Sequence, residues 1–235
     1  MEITYDSLTD YATDHSYTCH VRHFREMFAA CDIPIRCFLE WGCGYATKIF
    51  IDNSQHVISV EQVDAEHESS CRWLRHCQQL FGSPKWTAII EVCSPAVWQA
   101  ESYAGSKHRD PALIDPSYLA ELDAFIKKLA KTHELTVSFV DSGTYFRGDL
   151  VELSLQNKIP IVVAHDTASA YDDIRGSKWS RKGVNQYIWF KVQPHDDYEH
   201  IYIWHGAGTT FWIRKDLPKL RAAMRAYADS WQSGS

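Results

Sequence analysis

The chain has 235 residues, 45% of them apolar and 23% charged, with a formal net charge of −6. These values belong to a folded globular protein, not a disordered or repetitive one, and the acidic balance gives no reason to hold a polyphosphate backbone, so nucleic acid is not an expected partner. No run approaches the roughly eighteen apolar residues a membrane span needs, and the stretch from Met1 to Asp14 is too acidic and polar for a signal peptide, so the expected location is cytoplasmic. The seven cysteines are odd in number and form no C-x-x-C pair, which reads as reduced core residues and not as a disulfide framework or zinc site.

In chain order, residues 1–34 read as a helical extension, with Val21, Phe24, Met27 and Phe28 at helical spacing. The whole chain, 1–235, is expected to form a single domain, with its core from 36 to 214. Arg36 to Glu40 is an apolar run that stops at Trp41-Gly42-Cys43-Gly44 and leads into helix-compatible Ala46 to Asp52. His56 to Val60 is a second strand ending in Glu61, and Asp64 to Leu80 is a helix with acidic residues early and basic ones late. Trp86 to Val92 reads as a third strand. The polar stretch from Ser94 to Pro116 then reads as a long loop, of the length typical of a lid over a substrate, a binding loop or a disordered segment.

Pro116 to His133 carries leucine, phenylalanine and isoleucine at helical spacing, Leu135 to Val140 is a strand ending at Asp141, and Asp149 to Gln156 is helical. Ile159 to Ala164 is a buried strand running into His165-Asp166-Thr167. Tyr187 to Val192 and Thr209 to Arg214 are expected to close the sheet as an antiparallel pair, and Ser230 to Ser235 is expected to be a frayed tail. Alternation of strand and helix predicts a Rossmann-like, doubly wound α/β fold: a mostly parallel seven-stranded sheet between two layers of helices.

In such sheets, ligands bind beyond the carboxyl ends of the strands, where this chain places Glu40, Glu61, Cys93, Asp141 and Asp166. The run Glu40-Trp41-Gly42-Cys43-Gly44 puts glycines where a backbone turns tightly beside a ligand, and Glu61 stands about twenty residues on, the position from which a carboxylate accepts hydrogen bonds from ribose hydroxyls. The bland alternative is a tight turn followed by a solvated strand end.

These motifs resemble the class I S-adenosylmethionine-dependent methyltransferases, and within them the small-molecule O-methyltransferases. Glu40, Gly42 and Gly44 match the family's acidic-x-Gly-x-Gly loop, Thr47 resembles the threonine of one subgroup, and Glu61 within Ser59-Val60-Glu61-Gln62 matches the second-strand acid. Asp141 resembles the fourth-strand acid, and His165-Asp166-Thr167 resembles a His-Asp-Thr run after the fifth strand. The resemblance implies that S-adenosylmethionine is held by Glu40, Gly42, Cys43, Gly44, Thr47, Glu61, Gln62, Cys93, Ser94 and Asp141, and that the acceptor is a small molecule. Ala46 replaces a third glycine, and Cys93 and Ser94 stand where the family often has a polar or acidic adenine partner.

Asp141 and Asp166 end neighbouring strands, so their carboxylates can converge on Mg²⁺ or Ca²⁺, although Thr167 stands where catechol-type enzymes have asparagine. His165 is either the general base for an acceptor hydroxyl or a strand cap. His195, His200 and His205 fit no zinc spacing and read as loop residues. Two rivals stand beside the methyltransferase: a nicotinamide-dependent oxidoreductase, against which Thr47 occupies the third-glycine position, and a methyltransferase-like domain that binds without catalysing.

Overall fold

The computed structural model describes residues 20–64, 68–93, 116–142, 147–167, 192–205 and 208–232. In chain order the elements are α1 (His20–Ala30), β1 (Cys37–Trp41), α2 (Thr47–Asn53), β2 (His56–Asp64), α3 (Glu68–Phe81), β3 (Trp86–Cys93), α4 (Pro116–His133), β4 (Leu135–Val140), α5 (Arg147–Gln156), β5 (Ile161–His165), β6 (Tyr198–Ile203), β7 (Thr209–Arg214) and α6 (Pro218–Gln232).

Seven strands form one sheet in the order β3-β2-β1-β4-β5-β7-β6. The first five run parallel, and β7 pairs antiparallel with both β5 and β6. Because successive residues of a strand point to opposite faces, the sheet sorts its side chains into two cores. Phe38, Val57, Val137, Phe139, Val163 and Phe211 face α1, α2, α3 and α6, where Phe24 of α1 sits 4.8 Å from both Phe50 and Phe139. Leu39, Trp41, Ile58, Val60, Val140 and Val162 face α4 and α5, meeting Leu122, Ile126, Leu150 and Leu155. Helices on both faces of a mostly parallel sheet are the three-layer arrangement expected from the β/α alternation.

The turns follow from local chemistry. α4 and α5 are each followed by a residue in the left-handed region, Glu134 (φ 51°) and Lys158 (φ 57°), which ends the helix and sends the chain back to the sheet. Pro160 then precedes β5, giving up no ladder donor, and its carbonyl accepts from Arg214 N at 3.0 Å.

The C-terminal third departs from expectation. β6 is formed by Tyr198–Ile203, inside the segment read as a connection, and the segment read as its strand, 187–192, lies outside the described residues except for Val192, which is not in a strand. Ile201 and Ile203 join the core under α1 and α6 and Tyr198 the opposite one, and the less buried Glu199, His200 and Tyr202 between them hid this short pattern. α6 was not foreseen and extends through Ser230 to Gln232. Its Leu220, Met224 and Ala228 close the core, and Tyr227 reaches His23 Nδ1 at 3.0 Å, tying α6 to α1. No helix of the described residues is long and apolar enough to cross a membrane.

Candidate functional site

The carboxyl ends of β1, β2, β4 and β5 meet at one edge of the sheet. The first half of the site is the β1–α2 loop. Its opening residue, Gly42, donates to Val60 O at 3.0 Å while Asp141 N donates to Trp41 O at 3.0 Å, so the turn is clamped between the two neighbouring strands. Gly42 has φ 93°, and a Cβ there would come within 2.7 Å of the Asp141 carbonyl oxygen. Only glycine satisfies both constraints. A Cβ on Gly44 would meet nothing within 4 Å, so the loop's second glycine borders open space.

Behind the loop lies Glu40, 1% exposed. Its carboxyl accepts from the Thr47 hydroxyl at 2.8 Å and the Ser59 hydroxyl at 2.6 Å, and the Ser59 oxygen accepts from Trp86 Nε1 at 2.9 Å. Thr47 Oγ1 also accepts from Gly44 N at 3.0 Å. Burial pushes the Glu40 carboxyl well above the usual carboxylate range, and the two hydroxyls only partly offset this. Glu40 and Thr47 therefore brace the loop from the protein side.

Glu61 reaches the loop from the neighbouring strand β2. Its carboxylate accepts from the Cys43 amide, and burial raises its pKa to about 7 against the pull of the Cys43 hydrogen bonds. Gln62 points to the opposite face of the sheet, donating to Tyr118 Oη at 2.8 Å, and Tyr118 in turn donates to Glu91 at 3.0 Å. The adenine expectation falls outside what is described: Ser94 and the side chain of Cys93 are not among the described residues.

The second half of the site holds Asp141, His165 and Asp166. The guanidinium of Arg147, 5% exposed at the start of α5, lies between the two carboxylates: its Nη1 is 3.2 Å from Asp141 Oδ1 and 2.9 Å from Asp166 Oδ2, and it also donates to the His165 carbonyl at 3.0 Å. Arg147 Nε donates to Ser142 O at 2.5 Å. His165 Nδ1 is 3.4 Å from Asp141 Oδ1 and 3.6 Å from Asp166 Oδ1. Burial opposes ionisation of Asp141, but His165 and Arg147 outweigh it and hold the carboxyl at about 2. Asp166 adopts φ 59°, a left-handed conformation that aspartate tolerates better than most residues.

Mg²⁺ or Ca²⁺ was expected between Asp141 and Asp166, and in this structure the Arg147 guanidinium bridges the pair. The Thr167 hydroxyl, at the position of the catechol-type asparagine, is buried and accepts from Thr210 Oγ1 at 2.9 Å, turned to the protein. A hard cation held by these two carboxylates would have to displace that guanidinium.

Two contributors escaped the sequence. Arg147 lies two residues before the helix expected from Asp149, and nothing in its spacing marks it. His20 precedes Phe24 and Met27 by four and seven residues, so the same helical periodicity that marked them places it on the buried face. Its ring lies 4.6 Å from the His165 ring. Of the three C-terminal histidines read as loop residues, His200 lies instead in β6 beside Trp212, while His195, outside the strands and helices, bonds Glu152 at 3.1 Å and His205 packs on Trp231.

No protein-family model matches the sequence, and no curated protein does. Among solved structures, the SAH-bound methyltransferase PaMTH1 of Podospora anserina is similar to this chain with a TM-score of 0.53 and 14% identity, over 83% of this chain and 79% of that one. TomG, an O-methyltransferase of Streptomyces achromogenes involved in tomaymycin synthesis and solved with SAM, gives a TM-score of 0.46 and 12% identity, over 85% and 78%. The likeness to PaMTH1 shows a shared fold, a Rossmann-like α/β sheet, over most of both chains.

Proposed function

We propose that this chain is an S-adenosylmethionine-dependent methyltransferase that methylates a hydroxyl of a small-molecule acceptor. One observation carries the reading: the Glu61 carboxylate is held against the Cys43 amide beside a glycine turn that borders open space, the arrangement that accepts a ribose and lets a ligand approach the backbone. The residues present fit the cofactor. Glu61 would take the ribose hydroxyls, the 42–44 backbone the methionine portion, and Asp141 the boundary with the acceptor. When bound, S-adenosylmethionine supplies an electrophilic methyl group on a sulfonium and leaves as a neutral thioether.

The chain's own task is then to orient the acceptor oxygen and take its proton, and positioning supplies most of the effect. Asp141 and Asp166, 22% and 26% exposed, present carboxylate oxygens to an incoming hydroxyl, and Arg147 fixes both. An Asp141 carboxyl held at about 2 is a weak base, so it orients the hydroxyl and passes the proton to His165, whose ring stands between two carboxylates that stabilise its positive charge.

Calorimetric titration of the purified protein with S-adenosylhomocysteine and, separately, NADH tests the reading. Binding of the former alone, weakened about tenfold or more in Glu61→Ala through the lost charged hydrogen bonds, is the expected outcome. Binding of NADH alone would overturn it in favour of an oxidoreductase. Cofactor binding without turnover on any hydroxylated acceptor would mark a domain that binds without catalysing.

A further inference from the structure

We propose that His20, Asp141 and His165 form a binding site for a divalent transition-metal ion of the zinc and iron class, through two imidazole nitrogens and one carboxylate oxygen. One ligand atom from each of these residues lies within 4.8 Å of the other two. They come from three separate elements, α1, the end of β4 and β5, so the convergence is produced by the fold and not by a local motif.

Two features point to an ion. First, the Nδ1 atom of His20 is buried without a hydrogen-bond partner, a condition that costs about 1–3 kcal/mol unless something binds there. Second, the 3.4 Å between His165 Nδ1 and Asp141 Oδ1 is long for a hydrogen bond, whereas two ligands each about 2.0–2.1 Å from one tetrahedral ion stand roughly 3.3 Å apart.

The donor set selects the ion. Imidazole nitrogens favour zinc, iron, cobalt or nickel over Mg²⁺ and Ca²⁺, and two histidines with one carboxylate leave coordination positions open. The aromatic rings of Phe24 and Phe139, with centroids 6.2 and 5.2 Å from that of His20, hold its imidazole toward the site. Resting on the methyltransferase reading, the ion would face the acceptor end of the site and, with the His165 lone pair engaged, would replace that ring as the group that favours loss of the acceptor proton. Arg147 then has a second use, orienting the ligand carboxylate from behind.

The test uses tag-free, full-length protein stripped with a chelator. Co²⁺ titration should give visible ligand-field bands that saturate at one ion per chain, Zn²⁺ should displace it, and excess Mg²⁺ should not. His20→Gln and Asp141→Asn should each weaken binding about 100-fold or more, Asp166→Asn by less than about tenfold, with far-UV circular dichroism confirming that each variant is folded. Absence of saturable binding, binding indifferent to the His20 and Asp141 substitutions, or an Mg²⁺ preference lost in Asp166→Asn would each overturn the site. S-adenosylhomocysteine titrated into the same metal-free protein separates the two readings: binding of the nucleoside without the metal rejects the site alone, and binding of the metal without the nucleoside rejects the cofactor alone.

Discussion

The two halves of the site are built on different principles. The loop half is local: Glu40, Gly42, Gly44 and Thr47 lie within eight residues, and Ser59 and Glu61 join them from the adjacent parallel strand. The carboxylate half gathers His20, Asp141, Arg147, His165 and Asp166 from four elements and their ends, and its charges hold one another in place. A backbone device tolerates change wherever no atom is crowded, whereas a buried charge cluster fails when any member is removed.

The largest expected effect is in the second half. Arg147→Ala leaves two half-buried carboxylates unpaired and should destabilise the protein by about 3–5 kcal/mol in urea denaturation, and Arg147→Lys should recover only part of this, because a point charge does not reproduce the planar fork. A loss below about 1 kcal/mol would show that solvent carries those charges instead.

Gly42→Ala comes next, since it joins the halves. The methyl group meets the Asp141 carbonyl from a left-handed backbone, and the expected cost is about 2–4 kcal/mol together with loss of S-adenosylhomocysteine binding. Gly44→Ala belongs beside it as the control, because it faces open space: stability should change by no more than about 0.5 kcal/mol while affinity falls. Equal destabilisation by the two alanines would erase the distinction between a crowded and an open glycine.

Acid should act through the second half. The His20 pKa is lowered from 6.5 to about 3 by burial first and His165 second, so the unfolded chain takes up a proton that the folded chain refuses. Stability contributed by this group is present above pH 6.5 and is lost as the pH falls, by up to about 2 kcal/mol between pH 6.5 and 5. In metal-free protein, His20→Gln should flatten that limb of the stability profile, and an unchanged slope would assign it to other groups.

Glu61 should give a smaller effect of opposite sign. Its carboxyl is raised by burial from 4.5 to about 7, so ionisation disfavours the folded state as the pH rises through that window. Glu61→Gln should stabilise the protein by about 1–2 kcal/mol at pH 8, read as a higher Tm, while weakening nucleoside binding. For the wild type, affinity for S-adenosylhomocysteine should rise as the pH passes through 7, when the acceptor oxygens become ionised.

The legibility of each part follows the same division. α4 and β4 stand at the boundaries that periodicity gave them, because 3.6- and 2-residue patterns report burial directly. β6 did not, since this edge strand buries Tyr198 on one face and Ile201 and Ile203 on the other, with Glu199 and His200 between them, and so shows no clean two-residue alternation. Glu40, Gly42, Gly44 and Glu61 were readable from spacing alone, yet their division of labour was not: nothing in the sequence told that Glu40 would be sealed behind Thr47 and Ser59 while Glu61 remained beside the loop.

By itself the sequence determined the α/β alternation, the glycine turn and the row of acids at the strand ends, because each depends on hydrogen-bonding period or on dihedrals set by a few neighbours. Only the tertiary structure decided what those acids face. The approach of Arg147 to Asp141 and Asp166, and of His20 to His165 across a sequence separation of 145 residues, is fixed by how α1 and α5 pack on the sheet, and long-range electrostatics leaves no periodic trace in a chain.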